Sequence, residues 1–108
     1  YGNACVDDDG WMLYSTGLGH GDALHLGDLD PDRPGLEVFM VHEESPYGCN
    51  YRDAATGELL YYTTGSEDNG RGLAGDVIGG HRGYEFCRPR WTTRATCRRA
   101  SSRRRSLR

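Results

Sequence analysis

GHGDALHLGDLDPDRPGLEVFMVHE, residues 19–43, sets an acid-rich turn between two apolar, β-prone runs. Three histidines (His20, His25, His42) and the carboxylates Asp22, Asp28, Asp30, Asp32, Glu37 and Glu43 crowd into it, with Glu44 next in line. From Asp28 to Glu37 the acids fall at alternate positions around Pro31, Pro34 and Gly35, residues that favour a turn over a helix. Leu36 to Val41 then reads as a strand, so the turn joins two strands. Spaced carboxylates in a short loop supply several of the six to eight oxygens that calcium takes, which points to Asp28, Asp30, Asp32 and Glu37 as ligands. A helix–loop–helix calcium site does not fit. Counted from Asp28, the glycine is eighth and the glutamate tenth, against the sixth and twelfth positions that motif needs. A plain Asp/Pro/Gly turn with solvated charges is the competing reading.

Outward from this stretch, Asp7–Gly10 reads as a turn, Trp11–Ser15 as a strand and Thr16–Gly19 as a break. Ala23–Gly27 is a short strand. Tyr47–Arg52 and Glu58–Thr63 form a hairpin around Ala54-Ala55-Thr56-Gly57. No stretch carries a sustained helical stripe, so the expected fold is all-β. Gly17–Asp28 and Gly65–Asp76 have equal length, and Asp28-to-Glu37 with Gly35 is matched by Asp76-to-Glu85 with Gly83, all at an offset of 48. A four-strand unit of that length has the size of a propeller blade. Residues 23–64 make one full blade, flanked by parts of two neighbours. One blade cannot bury both its faces, which predicts a fragment of a longer propeller. Ile78 and Gly80 replace Asp30 and Asp32 in the second copy, so any cation there is expected to bind more weakly.

The net charge of −3 conceals a division. Residues 1–87 hold 16 carboxylates against four arginines, a net −12, whereas residues 88–108 hold nine arginines and no acid, a net +9. This break sets a boundary between the blade fragment and an Arg-rich tail. The tail reads either as a disordered arm for nucleic acid or an acidic surface, or as out-of-frame translation that interrupts a strand after Phe86 or Cys87. The chain begins with Tyr1 and shows no signal segment, so it reads as a mature or interior piece. It has no apolar run long enough to span a membrane. Lysine is absent, which removes an ammonium base. Cys5, Cys49, Cys87 and Cys97 lack metal-type spacing, leaving a disulfide such as Cys5–Cys49, or thiols, as the readings.

With blades and an acidic loop in view, the string GLGHGDALHLGDLDPDRPGLEVFMVHE, together with DAATGELLY and GRGLAGD, resembles the rhamnogalacturonan lyases of polysaccharide lyase family 11. The resemblance runs from Tyr1 to Phe86. It implies an all-β, eight-bladed β-propeller that cleaves the pectin backbone by β-elimination, secreted, calcium-dependent and monomeric when whole. It further implies a calcium near the substrate cleft on His20, Asp22 and Glu43, and a structural calcium on Asp28, Asp30, Asp32 and Glu37. His20 is alternatively the base or an orienting group, and Arg71 a partner for a substrate carboxylate. His25 and His42 lie on strands, where structural roles are expected, and His81 reads as loop. Trp11, Tyr14, Tyr61 and Tyr62 are candidates for sugar stacking or for core. Two other functions stay open: a non-catalytic, integrin-like calcium propeller module, and a small nucleic-acid-binding protein acting through the tail.

Overall fold

The computed structural model describes residues 2–88 and 96–99. Among them there are only strands, turns and loops, arranged as three antiparallel sheets. The first sheet pairs β1 (Ala4–Val6) with β2 (Met12–Ser15). The second is a meander of four strands in chain order, β3 (Ala23–Gly27), β4 (Glu37–Val41), β5 (Cys49–Asp53) and β6 (Leu59–Thr63). The third joins β7 (Leu73–Gly75), β8 (Glu85–Arg88) and β9 (Thr96–Arg99).

The second sheet coincides with the unit expected from residues 23–64, and the all-β expectation holds for the described residues. The offset of 48 is a register relationship as well as a sequence one. Gly27 pairs with Glu37 in the β3–β4 ladder, and Gly75 pairs with Glu85 in the β7–β8 ladder. A slip of one residue in either ladder would turn the glutamate to the other face, so the repeat preserves which way it points. β1 was not anticipated: three residues are too few to show alternation, and their pairing with β2 shifts register between Cys5 and Val6.

β4 is the organising strand. All five of its residues are buried, as a strand covered on both faces requires. Phe39 and Val41 face one side, joined there by Leu29, Cys49 and Tyr51. Phe86 of β8 reaches across from the third sheet to stack on Phe39 at 4.8 Å between ring centroids and to lie 5.2 Å from Tyr51. Tyr61 is half-buried beside Phe86 and packs against the core. On the other side an open apolar cavity of about 480 Å³ separates the second sheet from the first, lined by Cys5, Tyr14, Leu24, Leu26, Leu36 and Val38. Tyr14 donates its hydroxyl to Ala54 O at 2.8 Å, tying the two sheets at one rim. Trp11 is exposed.

Of the two readings left open for Cys5 and Cys49, a disulfide or thiols, the structure has the thiols. Cys49 Sγ lies 3.3 Å from Thr63 Oγ1, a hydrogen-bond distance across the β5–β6 ladder. Cys87 is disulfide-bonded. β8 extends to Arg88 and β9 pairs with it, so the backbone at residues 96–99 continues the third sheet. The rest of the Arg-rich stretch assigned to 88–108 lies outside the described residues. No helix among the described residues is long and apolar enough to cross a membrane.

Candidate metal centre

The β3–β4 hairpin has two acidic ends. In its register Ala23 faces Val41 and Gly27 faces Glu37. Residues just before β3 and just after β4 therefore meet at one end, and the 28–36 loop closes the other. Four strand steps separate the ends, about 13 Å at the usual rise.

At the open end stand His20, Asp22 and Glu43. The backbone N–H of Glu43 donates to His20 O at 3.1 Å, extending the ladder past the last strand residues. Above it His20 Nδ1 lies 2.5 Å from Glu43 Oε1 and 3.9 Å from Asp22 Oδ1. One ligand atom from each of the three falls within 4.8 Å of the other two. Among the described residues this is the one group of three or more His, Cys, Asp or Glu side chains so gathered. The side chains are 63%, 34% and 31% exposed, so an ion and a solute can both reach them. Two carboxylate oxygens and one imidazole nitrogen leave most of a calcium shell to water or another ligand, a set that fits a divalent cation at an open site.

The opposite end is arranged differently. Glu37 is fully buried, and its Oε2 accepts the backbone N–H groups of Leu29 at 3.0 Å and Asp30 at 2.9 Å. Asp30 Oδ1 accepts the Asp32 N–H at 3.0 Å. Asp32 Oδ1 receives Arg82 Nε at 2.9 Å from the following repeat. The Asp28, Asp30, Asp32 and Glu37 side chains are not gathered as the first three are; one oxygen each of Asp30, Asp32 and Glu37 goes to a protein donor. One feature still suits a cation there. Glu37 Oε1 and the Tyr51 hydroxyl are buried with no hydrogen-bond partner among the described residues, and Arg33 Nε stops 4.0 Å from that oxygen. Burial raises the Glu37 pKa, outweighing the two N–H donors, and nearby Asp30 and Asp28 push the same way. Burial raises the Tyr51 phenol pKa also, with Glu37 adding to it.

The second repeat reproduces the Glu37 arrangement with a histidine in place of the arginine neighbour. Glu85 Oε2 accepts the N–H groups of Val77 and Ile78, both at 3.1 Å, and His81 Nδ1 lies 2.5 Å from Glu85 Oε1. His81 stands 48 positions after Arg33, so it is more than the loop residue the sequence suggested. The aligned glutamates gave the signal; the histidine's role needed the fold.

His25 and His42 take the structural roles expected of strand histidines. His25 Nε2 lies 3.3 Å from Gly72 O, and its ring stacks near Phe39. His42 is buried, with Nε2 2.5 Å from Asn50 Nδ2. Burial, aided by the Arg52 charge, pulls its pKa down, so the neutral ring accepts a hydrogen bond from the Asn50 amide N–H on Nε2. Arg71 is exposed in the loop before β7, two residues after buried Asn69.

The model described as rhamnogalacturonan lyase family 11, C-terminal domain, matches residues 1–105. The chain is 56% identical over 87 residues to the rhamnogalacturonan endolyase YesW of Bacillus subtilis (strain 168), covering 79% of this chain and 14% of that protein. It is 56% identical over 85 residues to the rhamnogalacturonan exolyase YesX of the same organism, covering 77% and 14%. The crystal structure of YesX superimposes with a TM-score of 0.77 at 53% identity over 82% of this chain and 15% of that one. A Bacillus licheniformis rhamnogalacturonan lyase gives a TM-score of 0.73 at 53% identity over 78% and 15%. The chain thus spans about one seventh of the length of the curated relatives it matches.

Proposed function

Since the chain belongs to rhamnogalacturonan lyase family 11, we propose that it is a segment of a secreted, calcium-dependent rhamnogalacturonan lyase built as an eight-bladed β-propeller. In this reading the whole enzyme is monomeric, and the segment is inactive by itself. The relatives named as an endolyase and an exolyase support the substrate class. The sheet of four strands, followed at the same offset by a second hairpin, supports blades. The observation that carries the site is the convergence of His20, Asp22 and Glu43.

β-Elimination from a uronate requires a base to take the proton from the carbon beside the carboxylate while the glycosidic oxygen on the next carbon departs. Negative charge grows on a group that is already anionic. His20, Asp22 and Glu43 would hold a divalent cation, which would supply opposing charge where it develops. Arg71 is assigned to the substrate carboxylate, which its planar guanidinium can hold through two hydrogen bonds. His20 is assigned to the cleft both as ligand and as the candidate base. A proton on Nδ1 directed at Glu43 fixes the ring and leaves Nε2 as the basic nitrogen. Were Nδ1 to hold the cation instead, another group would have to take the proton. The Asp28, Asp30, Asp32 and Glu37 loop is proposed as a second, structural calcium position, supported by the buried Glu37 oxygen that lacks a partner among the described residues.

The test is made on the full-length polypeptide that carries this segment, incubated with rhamnogalacturonan and followed by ultraviolet absorbance of the unsaturated uronate. Calcium-dependent product, lost in Asp22→Asn and Glu43→Gln, is the expected result. Saturated products from hydrolysis, or activity indifferent to chelation and to both substitutions, would overturn the reading.

A further inference from the structure

Glu43 is placed by a device outside its own hairpin, and that device has a single centre. Asn69, in the loop after β6, is 5% exposed. Its Nδ2 donates to two carbonyls at once, His42 O at 3.2 Å and Gly48 O at 3.0 Å. Its backbone N–H also reaches His42 O at 3.4 Å. His42 N in turn donates to Gly48 O at 3.0 Å, so the two ends of the 42–48 turn are tied together and to Asn69. The same turn is held from the core side, where Asn50 from β5 meets the buried His42 ring at 2.5 Å. Glu43 follows His42 directly, and its own N–H closes on His20 O.

We propose that Asn69 is a positioning residue for the cation centre. It fixes the peptide between His42 and Glu43, and through it the distance between the Glu43 carboxylate and His20. The inference rests on the cation reading given above and adds to it a residue that lies 26 positions from the nearest ligand in sequence and offers no ligand atom itself. The chemistry is that of a support behind a metal ligand. A carboxylate whose backbone is loose spends part of its binding free energy on becoming ordered, and loss of such supports lowers metal affinity about 10- to 100-fold. Asn69 also precedes Arg71 by two residues, so the contact that orders Glu43 orders the start of the loop bearing the proposed uronate partner. Cation and arginine are thereby set from one point.

The experiment uses the full-length polypeptide that carries this segment, calcium chloride as the probe and calorimetric titration, with amide hydrogen exchange of the stretch containing Glu43 followed by mass spectrometry without calcium. Asn69→Ala removes both side-chain donations, whereas Asn69→Ser retains one hydroxyl donor on a shorter side chain. Calcium affinity is expected to fall at least 10-fold in Asn69→Ala and to recover partly in Asn69→Ser, with Glu43 N–H exchange faster in the same order. If Asn69→Ala does not fold, Asn69→Ser alone carries the comparison, since an intermediate loss is required of it. Unchanged affinity together with an unchanged Glu43 exchange rate in a folded variant overturns the proposal. If the unsubstituted chain takes up no calcium, the cation reading fails by itself, and the Glu43 exchange rate still decides whether Asn69 orders that residue.

Discussion

Glu37 and Glu85, 48 positions apart, perform one task twice: each buried carboxylate accepts two consecutive backbone N–H groups, eight and seven residues upstream, from the loop it closes. The glutamate in each case is the first residue of the strand that leaves the loop. It therefore closes the loop on its own exit. Removing the Glu37 side chain strands the Leu29 and Asp30 N–H groups in a site that water does not reach. Glu37→Ala is expected to cost about 3 kcal/mol, roughly the desolvation penalty of two buried donors. Urea unfolding measures it, and a loss below about 1 kcal/mol would show that the loop holds without this contact.

The two glutamates titrate in opposite directions. Burial raises Glu85 too, but the Val77 and Ile78 N–H groups and His81 outweigh it, so its folded pKa lies below the ordinary 4.5. A depressed carboxylate pKa contributes stability above the unfolded value, and that contribution is lost as pH falls from 4.5 through the folded value. Glu85→Gln is expected to flatten the acid limb of stability below that pH. Glu37, raised above 4.5, acts oppositely: its contribution is complete below that value and is lost as pH rises through the folded pKa. Glu37→Gln is expected to flatten the stability curve above pH 4.5 and not below it. Urea midpoints collected from acid to neutral pH test both signs, and identical slopes in the two variants would refute the difference.

How far the sequence disclosed this arrangement depends on whether the controlling contact is local. The 48-residue offset was legible, because a strand's register relative to its loop is written in the spacing of Gly and Glu. So were β3 and the β5–β6 hairpin, whose residue types favour strands on either side of an obvious turn. His20, Asp22 and Glu43 were nominated through family resemblance; their meeting follows from the Ala23–Val41 pairing, which extends one ladder to the residues flanking it. Asn69 was not legible. It meets His42 and Gly48 across more than 20 residues and has the composition of any polar loop position. His81 was missed for a similar reason: only with Glu85 buried does a loop histidine have a carboxylate to face.

Arg82 lies 2.9 Å from Asp32 across the two repeats, with both side chains more than half exposed. Exposed pairs of this kind contribute little, so Arg82→Ala is expected to change stability by less than about 1 kcal/mol. Its effect on the acidic loop should be larger in kind. Withdrawing the guanidinium removes a positive charge beside Asp32, and calcium uptake at that loop should strengthen. Calorimetric titration of Arg82→Ala against the unsubstituted chain tests this. Weaker uptake would mean that Arg82 supports the loop and does not compete with a cation.

Gly48 ends the 42–48 turn with φ at +80°, and a Cβ built there would run into the Thr63 carbonyl. Backbone, unlike a flexible side chain, cannot step aside cheaply. Gly48→Ala is therefore expected to destabilise the chain by more than about 2 kcal/mol, combining left-handed strain with the clash. Gly10, also at positive φ but with open space around its Cβ position, provides the control, and Gly10→Ala should cost only about 1 kcal/mol. Equal losses in the two variants would mean that the close approach of Thr63 contributes nothing.

Phe86 carries the contact between the second and third sheets, since it stacks on Phe39 and tilts against Tyr51 and Tyr61. It is 4% exposed, and the rings around it come from β4, β5 and β6. Truncation leaves a hole that three strands of one rigid sheet cannot close together. Phe86→Ala is expected to cost about 3–5 kcal/mol, whereas Phe86→Leu, which keeps most of the volume, should cost less than half as much. The two variants also separate packing from folding of the third sheet. If hydrogen exchange in Phe86→Ala rises only in β7 and β8 and leaves β4 and β5 protected, the second sheet is a stable unit without its neighbour. If β4 and β5 lose protection in step, Phe86 is a shared core residue and the two repeats fold as one.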